Sequence, residues 1–189
     1  MKIDQALAES KKVLTTKRYE HVERVTETAI NLAKRYNGDE YKVGLAAALH
    51  DYAKDMDPHI LKSWIEAEVD LPKDLLHYHP ELWHGPVGSK MANKLFLIQD
   101  QDILGAIRYH TTGHQLMSLV EKIVFLADYI EPGRNFPVVH LARELSEKDL
   151  DQACHYALEN SIQFLISKKQ SVYPDTFFAY NALTNKLSK

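Results

Sequence analysis

Residues 39–51 read Asp-Glu-Tyr-Lys-Val-Gly-Leu-Ala-Ala-Ala-Leu-His-Asp. Asp39 can accept hydrogen bonds from the first free amides of a helix. Residues 41–49 contain one charge, Lys42. A helix that is apolar almost all round belongs at the centre of a protein. This one closes on His50-Asp51, which drives an imidazole and a carboxylate into or beside the core. A buried carboxylate is costly unless it is paired or bound to a metal. A divalent cation would partner both groups at once. For the dipeptide alone the plainer reading prevails, a helix end with both groups exposed.

Outward from this segment the period stays helical. Across residues 18–37, Val22, Val25, Ala29, Leu32, Ala33 and Tyr36 recur at steps of three and four. Asn37-Gly38 stops that helix. Ile3, Leu7, Val13 and Leu14 predict a short helix before it. Downstream, Asp57-Pro58 opens another by the N-cap and first-turn-proline rule. Residues 71–86 are rich in proline and histidine and read as a loop with one helical turn. Helices are expected over 86–97, 100–109 and 118–130. Between them, Thr111-Thr112-Gly113-His114 is a tight loop, and 131–137 is another, broken by Pro132 and Gly133. Ser146 and Asp149, at capping-box spacing, open a long helix to about residue 168, and Pro174 starts a last one. No strand alternation or repeat appears. The expectation is an all-α bundle of roughly eight to ten helices.

The 189 residues carry a formal net charge of -3, which disfavours whole-molecule attraction to nucleic acid or anionic lipid. A local basic patch around an anionic substrate stays open. Cys154 is the only cysteine, so no intrachain disulfide can form, as suits a reducing compartment. The N-terminus lacks the apolar core of a signal peptide, and no stretch is long and apolar enough for a membrane span. A cytoplasmic protein is expected. Whether the first helix packs on its own domain or on a partner, as in a homodimer, is left open.

Ten histidines are unusual for this length. His21 lies among Val22, Val25 and Ala29 near the start of the long amphipathic helix. Asp128 interrupts the apolar run Val-Phe-Leu-Ala-Asp-Tyr-Ile at 124–130. His84 stands at a helix start before Gly85-Pro86, and His110 at a helix end. Together with His50 and Asp51 they form a mixed nitrogen and oxygen donor set. Such sets suit iron, manganese, nickel, cobalt or zinc. Asp51 is the candidate for a bridging carboxylate between two ions, which could activate a water and clamp phosphate oxygens. Lys54 and Arg134, close in sequence to Asp51 and Asp128, suit phosphate recognition. Thr111, Thr112 and Gly113 could offer a hydroxyl and amides to a phosphate. Taken singly, each of these groups is as readily a surface charge, a turn or a packed histidine. Asp55, Asp57 and Glu131 read as caps, ion-pair partners or supports of the site. His59, His77, His79, His114, His140 and His155 read as structural or exposed. Cys154 reads as a packing residue. Tyr173, Phe177, Phe178 and Tyr180 read as core, with Tyr173 also a candidate to stack on a nucleobase.

The order His21, His50-Asp51, His84, His110, Asp128 resembles the HD-domain superfamily of metal phosphohydrolases. The local contexts are closer to one branch. They are Arg-Tyr-Glu-His at 18–21, Leu-His-Asp-Tyr-Ala-Lys at 49–54, Trp-His-Gly at 83–85, Tyr-His-Thr-Thr-Gly at 109–113 and Leu-Ala-Asp-Tyr-Ile-Glu-Pro-Gly-Arg at 126–134. Together they resemble the YqeK family. The resemblance implies a single HD domain over 1–189, an all-α helical bundle with its core at about 15–180 and the short N-terminal helix before it. It implies one or two transition-metal ions, divalent or mixed-valence, with iron favoured. It implies symmetrical hydrolysis of dinucleoside tetraphosphates, diadenosine tetraphosphate and water giving two ADP. Carried over, His21, His50, Asp51 and Asp128 would bind one ion. His84 and His110 would bind a second with Asp51, or contact phosphates. Lys54 and Arg134 would hold the phosphate chain, and Asp51 and Lys54 would be the catalytic pair. A different nucleotide substrate, a deoxynucleotide or guanosine alarmone, and a non-catalytic nucleotide-sensing module are the competing expectations.

Overall fold

In the computed structural model, which describes residues 1–188, the Asp39 side chain accepts hydrogen bonds from the amides of Tyr41 and Lys42, both at 3.0 Å. The helix that it caps, α3 (Glu40–Leu49), is the centre of the molecule. Val43, Ala46, Ala47, Ala48 and Leu49 have no exposed surface, and Leu45 almost none. The other helices are α1 (Ile3–Val13), α2 (Thr16–Arg35), α4 (Pro58–Ala67), α5 (His84–Phe96), α6 (Gln101–Tyr109), α7 (Leu119–Ile130), α8 (Val139–Ser146), α9 (Leu150–Ser167) and α10 (Pro174–Leu187). No strand occurs among the described residues, and the all-α expectation holds.

Helices α1, α2, α6 and α7 surround α3. Helix α2 turns Val22, Val25, Ala29 and Ala33 inward, as its period predicts. It stops at Asn37, which adopts a left-handed φ of 53° while Gly38 N donates to Ala33 O. Helix α1 packs on its own chain. Ser10 Oγ donates to Ala48 O at 2.7 Å, and a Cβ at Gly44 would lie 2.5 Å from Ile3 Cδ1. Gly44 therefore permits this close approach. Helix α5 packs on α6, α6 on α7, and α8 to α10 form a further layer behind α7 through α9.

Three local expectations need correction. Helix α5 begins at His84 rather than Pro86. Proline is tolerated there because first-turn amides have no intrahelical acceptor. Residues 71–86 hold two 3-10 turns, Lys73–His77 and Pro80–Leu82, instead of one turn. Ser146 does not cap the long helix. It ends α8, a helix the sequence reading missed, and its hydroxyl donates to Arg143 O. Asp149 is itself the cap of α9 and accepts from Gln152 N. Helix α8 is short and buries only Val139, Ala142 and Ser146, too brief a period to stand out. Its Arg143 donates to the carbonyls of Ile130, Glu131 and Arg134, which terminates α7 and shapes the loop after Asp128.

Replacing Asp39 with Ala removes both capping bonds of α3. The expected loss of stability is about 1 kcal/mol, measured by denaturant unfolding followed by circular dichroism.

Candidate metal centre

Helix ends place five of the six candidate ligands. His50 follows α3 and His110 follows α6; His84 is the first residue of α5; Asp128 lies in the last turn of α7. His21 lies on the inner face of α2, and Asp51 follows His50. The five besides Asp128 are buried, while Asp128 keeps part of its carboxylate exposed.

The imidazoles share one orientation. Nδ1 of His50, His84 and His110 lies 2.7, 2.7 and 2.8 Å from the carbonyl oxygens of Ala47, Glu81 and Ile107, each three residues earlier. A carbonyl can only accept, so Nδ1 carries the proton and Nε2 a lone pair. His21 Nδ1 donates in the same sense to Glu131 Oε1 at 3.1 Å. All four lone pairs then face one another and two carboxylates. His84 Nε2 lies 2.9 Å from His110 Nε2 and 3.1 Å from Asp51 Oδ1. His110 Nε2 is 3.7 Å from that same oxygen. On the other side, His21 Nε2 lies 3.1 Å from Asp128 Oδ1 and 3.7 Å from Asp51 Oδ2, and His50 Nε2 lies 3.6 Å from Asp51 Oδ2. Nε2 of His21 and of His50 is buried with no hydrogen-bond partner.

A buried shell made only of acceptors is repulsive unless something positive occupies its centre. Burial works against protons as its source at His50 and His110. Burial, with His84 and His50 alongside, depresses the His110 imidazole to about 3. Burial lowers His50 as well. Burial works to raise both carboxyls, yet Asp51 and Asp128 stay well below the ordinary carboxylate range, Asp128 with the Arg134 guanidinium beside it, so both bring negative charge to the shell. A divalent ion fits instead. Ligand bonds of about 2.1 Å put tetrahedral neighbours roughly 3.4 Å apart, and most of these separations lie close to that. Three triads have donor atoms within 4.8 Å of one another: His21, His50, Asp51; His50, His110, Asp128; and Asp51, His84, His110. Asp51 turns one oxygen to each side, the disposition a bridging carboxylate needs.

Cationic groups ring the shell. Arg134 donates through Nε to Asp128 O at 2.9 Å and through Nη2 to its carboxylate. Lys54 Nζ pairs with Glu81 and lies 3.5 Å from His84 Nδ1. Arg18 Nη1 donates to Asp51 Oδ2 at 3.1 Å. Behind His21, Glu131 is only 2 % exposed; its second oxygen accepts from Arg24 Nε and Gly133 N, both at 2.6 Å.

The phosphate-loop expectation changes. Gly113 adopts a left-handed φ of 62°, and its amide donates to Tyr109 O, so that amide is not free. Thr112 Oγ1 donates to Gly113 O, while Thr111 remains exposed. Tyr173 is buried and packs edge-to-face on Tyr78 at 4.9 Å, in a narrow cleft shared with Thr111 and Arg108. Little of its surface is open to a base in this packing. Asp55 accepts from Thr15 N, and Asp57 and His79 cap local turns. His114 meets Glu121, and His155 meets Thr184. Sequence reasoning missed Arg18, Glu81 and Arg24 as neighbours of the site. Arg18 had a signal, its position three residues before His21 on one helical face.

Residues 18–133 match the sequence profile of the HD domain. That span starts at Arg18, contains all six candidate ligands, and leaves out α1 and α8 to α10. The chain is 46% identical over 185 residues to the symmetrical bis(5'-nucleosyl)-tetraphosphatase of Bacillus subtilis, covering 98% of this chain and 99% of the relative. It is 47% identical over 179 residues to the protein of the same name from Halalkalibacterium halodurans, covering 95% of each. Among solved structures it is similar to a Clostridium acetobutylicum protein described as a predicted HD superfamily hydrolase involved in NAD metabolism. There the TM-score is 0.90 and the identity 36%, over 97% of each chain.

Two substitutions test the centre. Asp51→Ala removes the carboxylate shared by two of the three triads. The purified, folded variant is expected to carry no metal above background in elemental analysis; full occupancy would show that Asp51 is not a shared ligand. Glu131→Gln removes the charge behind His21 and is expected to weaken metal affinity about tenfold to a hundredfold, read by competition with a chelator.

Proposed function

The chain belongs to the HD-domain family, and on that premise we propose that it is a symmetrical bis(5'-nucleosyl)-tetraphosphatase, which splits diadenosine tetraphosphate with water into two ADP. The observation that carries the chemistry is the buried acceptor-only shell ringed by Arg18, Lys54 and Arg134. The substrate class rests on relatives of that name that match this chain nearly end to end. Family and cluster together imply a divalent metal centre.

In this reading His21, His50, Asp51 and Asp128 hold one ion. His84 and His110 hold a second with Asp51, or contact phosphate oxygens when a single ion is bound. The metal, when bound, supplies Lewis acidity to the phosphate oxygens and to the attacking water. The protein supplies the rest. Its carbonyl-anchored imidazoles keep the donor atoms pointed inward without rearrangement. Arg134, fixed by its two bonds to Asp128, offers its remaining N–H groups to the phosphate chain. Lys54, whose other partner is a largely exposed Glu81, can turn its ammonium to the same chain. The water oxygen bonds to one of the two central phosphorus atoms. The bridging P–O bond there breaks, and ADP leaves with that oxygen.

Iron is the metal we assign. The mixed nitrogen and oxygen set supports it, although manganese, cobalt, nickel and zinc share that chemistry. We place the protein in the cytoplasm. The single buried cysteine supports this, and no helix among the described residues is long and apolar enough to cross a membrane.

Turnover of diadenosine tetraphosphate in 18O-labelled water is expected to yield ADP alone, with one label for every two ADP molecules. AMP with ATP, or free phosphate, would exclude the symmetrical reaction. Elemental analysis of the same sample reads the metal.

A further inference from the structure

Four arginines lie around the centre, and they are held differently. Arg24 is bound to buried Glu131, and Arg143 to three main-chain carbonyls. Arg134 has both a carbonyl and a carboxylate. Arg18 makes one polar contact among the described residues, to Asp51 Oδ2 at 3.1 Å. That oxygen also faces His21 and His50. Arg18 is therefore held by an atom that a metal in the first triad would take. About a third of its side chain is exposed, so it can move without breaking a packed core.

Resting on the metal-centre reading above, we propose that Arg18 is a phosphate-binding residue of this site. It pairs with Asp51 through one donor, and its remaining donors would meet the substrate's phosphate chain beside that carboxylate. The argument is one of charge. A divalent ion on Asp51 Oδ2 would stand close to this guanidinium. Two neighbouring cations repel, and an anion placed between them removes the repulsion. A guanidinium presents five N–H donors in a planar fork that matches phosphate oxygens. Only one of those donors is in use here. Arg134 cannot change partners so readily, because its main-chain bond holds it. Arg18 also lies one helical turn before His21 on α2, so the element that supplies a ligand supplies this donor too.

The test separates binding of phosphate from binding of metal. Wild type, Arg18→Met and Arg18→Lys are loaded with iron(II) under anaerobic conditions, and folding is checked by circular dichroism. Metal affinity is read by chelator competition. Tripolyphosphate and ADP are then titrated calorimetrically into the loaded proteins. For Arg18→Met the affinity for both anions is expected to fall about tenfold to a hundredfold, with metal affinity equal to or above wild type, because a competing cation is gone. Arg18→Lys keeps the charge without the fork and is expected to be intermediate; it decides the matter should the Met variant not fold. Unchanged anion affinity in either variant overturns the proposal. So does a loss of metal affinity in Arg18→Met, since Arg18 would then only be holding Asp51 in place. Failure of wild type to form paired ADP would instead overturn the assigned reaction, and the tripolyphosphate titration would still decide Arg18.

Discussion

Four imidazole Nε2 atoms and two carboxylates face one another inside this protein, and much of the fold can be read as the means of holding them so. The clamp is a short hydrogen bond repeated three times, from Nδ1 of His50, His84 and His110 to the carbonyl three residues back. The last carbonyls of a helix have no intrahelical partner. At the ends of α3 and α6 the imidazole N–H fills that need for Ala47 and Ile107, and in doing so fixes which nitrogen faces inward. One bond thus finishes a helix and sets a tautomer. His21, in mid-helix, has no free carbonyl to use, and the buried carboxylate of Glu131 replaces it.

The same ends contribute a field. Helices α3 and α6 terminate at the centre, and Asp128 lies in the last turn of α7. A helix C-terminus carries partial negative charge. Three such ends near the centre favour a cation there, against the one opposing N-terminus of α5 at His84. The arrangement needs α3 to sit where α6 and α7 can meet it, and only a helix apolar on all sides can be enclosed in that way. The run of alanines and leucines from 45 to 49 thus bears directly on the chemistry. Small side chains let the neighbouring helices approach closely enough for their ends to converge.

Features written in local periodicity were legible in the sequence. The central helix, its Asp39 cap, the Asn37 stop and the inward face of α2 follow from spacing alone. The candidate ligands stood out as polar residues at the ends of apolar segments. Their convergence could not be read from spacing, because it depends on how α2, α3, α5, α6 and α7 cross; only the resemblance of motifs anticipated it. Helix α8 was missed because eight residues give too few turns for a period. Gly113 invited a phosphate-loop reading, but its left-handed turn uses the amide to close α6. Tyr173 invited stacking, but Tyr78, distant in sequence, packs against it. In each miss a long-range partner or a chain reversal decided the role, and neither leaves a mark in local pattern.

Charge balance bears on what a bound ion would add. The two shell carboxylates are matched by two guanidiniums, Arg18 on Asp51 and Arg134 on Asp128. Glu131 is matched by Arg24, and Glu81 by Lys54. With these pairs balanced, the side chains alone give the centre little unmatched positive charge with which to attract a polyanion. Every divalent ion that enters adds charge that no side chain present can offset. The loaded centre is then a strongly positive pocket in a chain whose formal net charge is -3. A polyphosphate, with a negative charge on each phosphate, suits that pocket. Charge that a divalent ion would add is thus the part of the attraction for a phosphate chain that these side chains do not supply themselves.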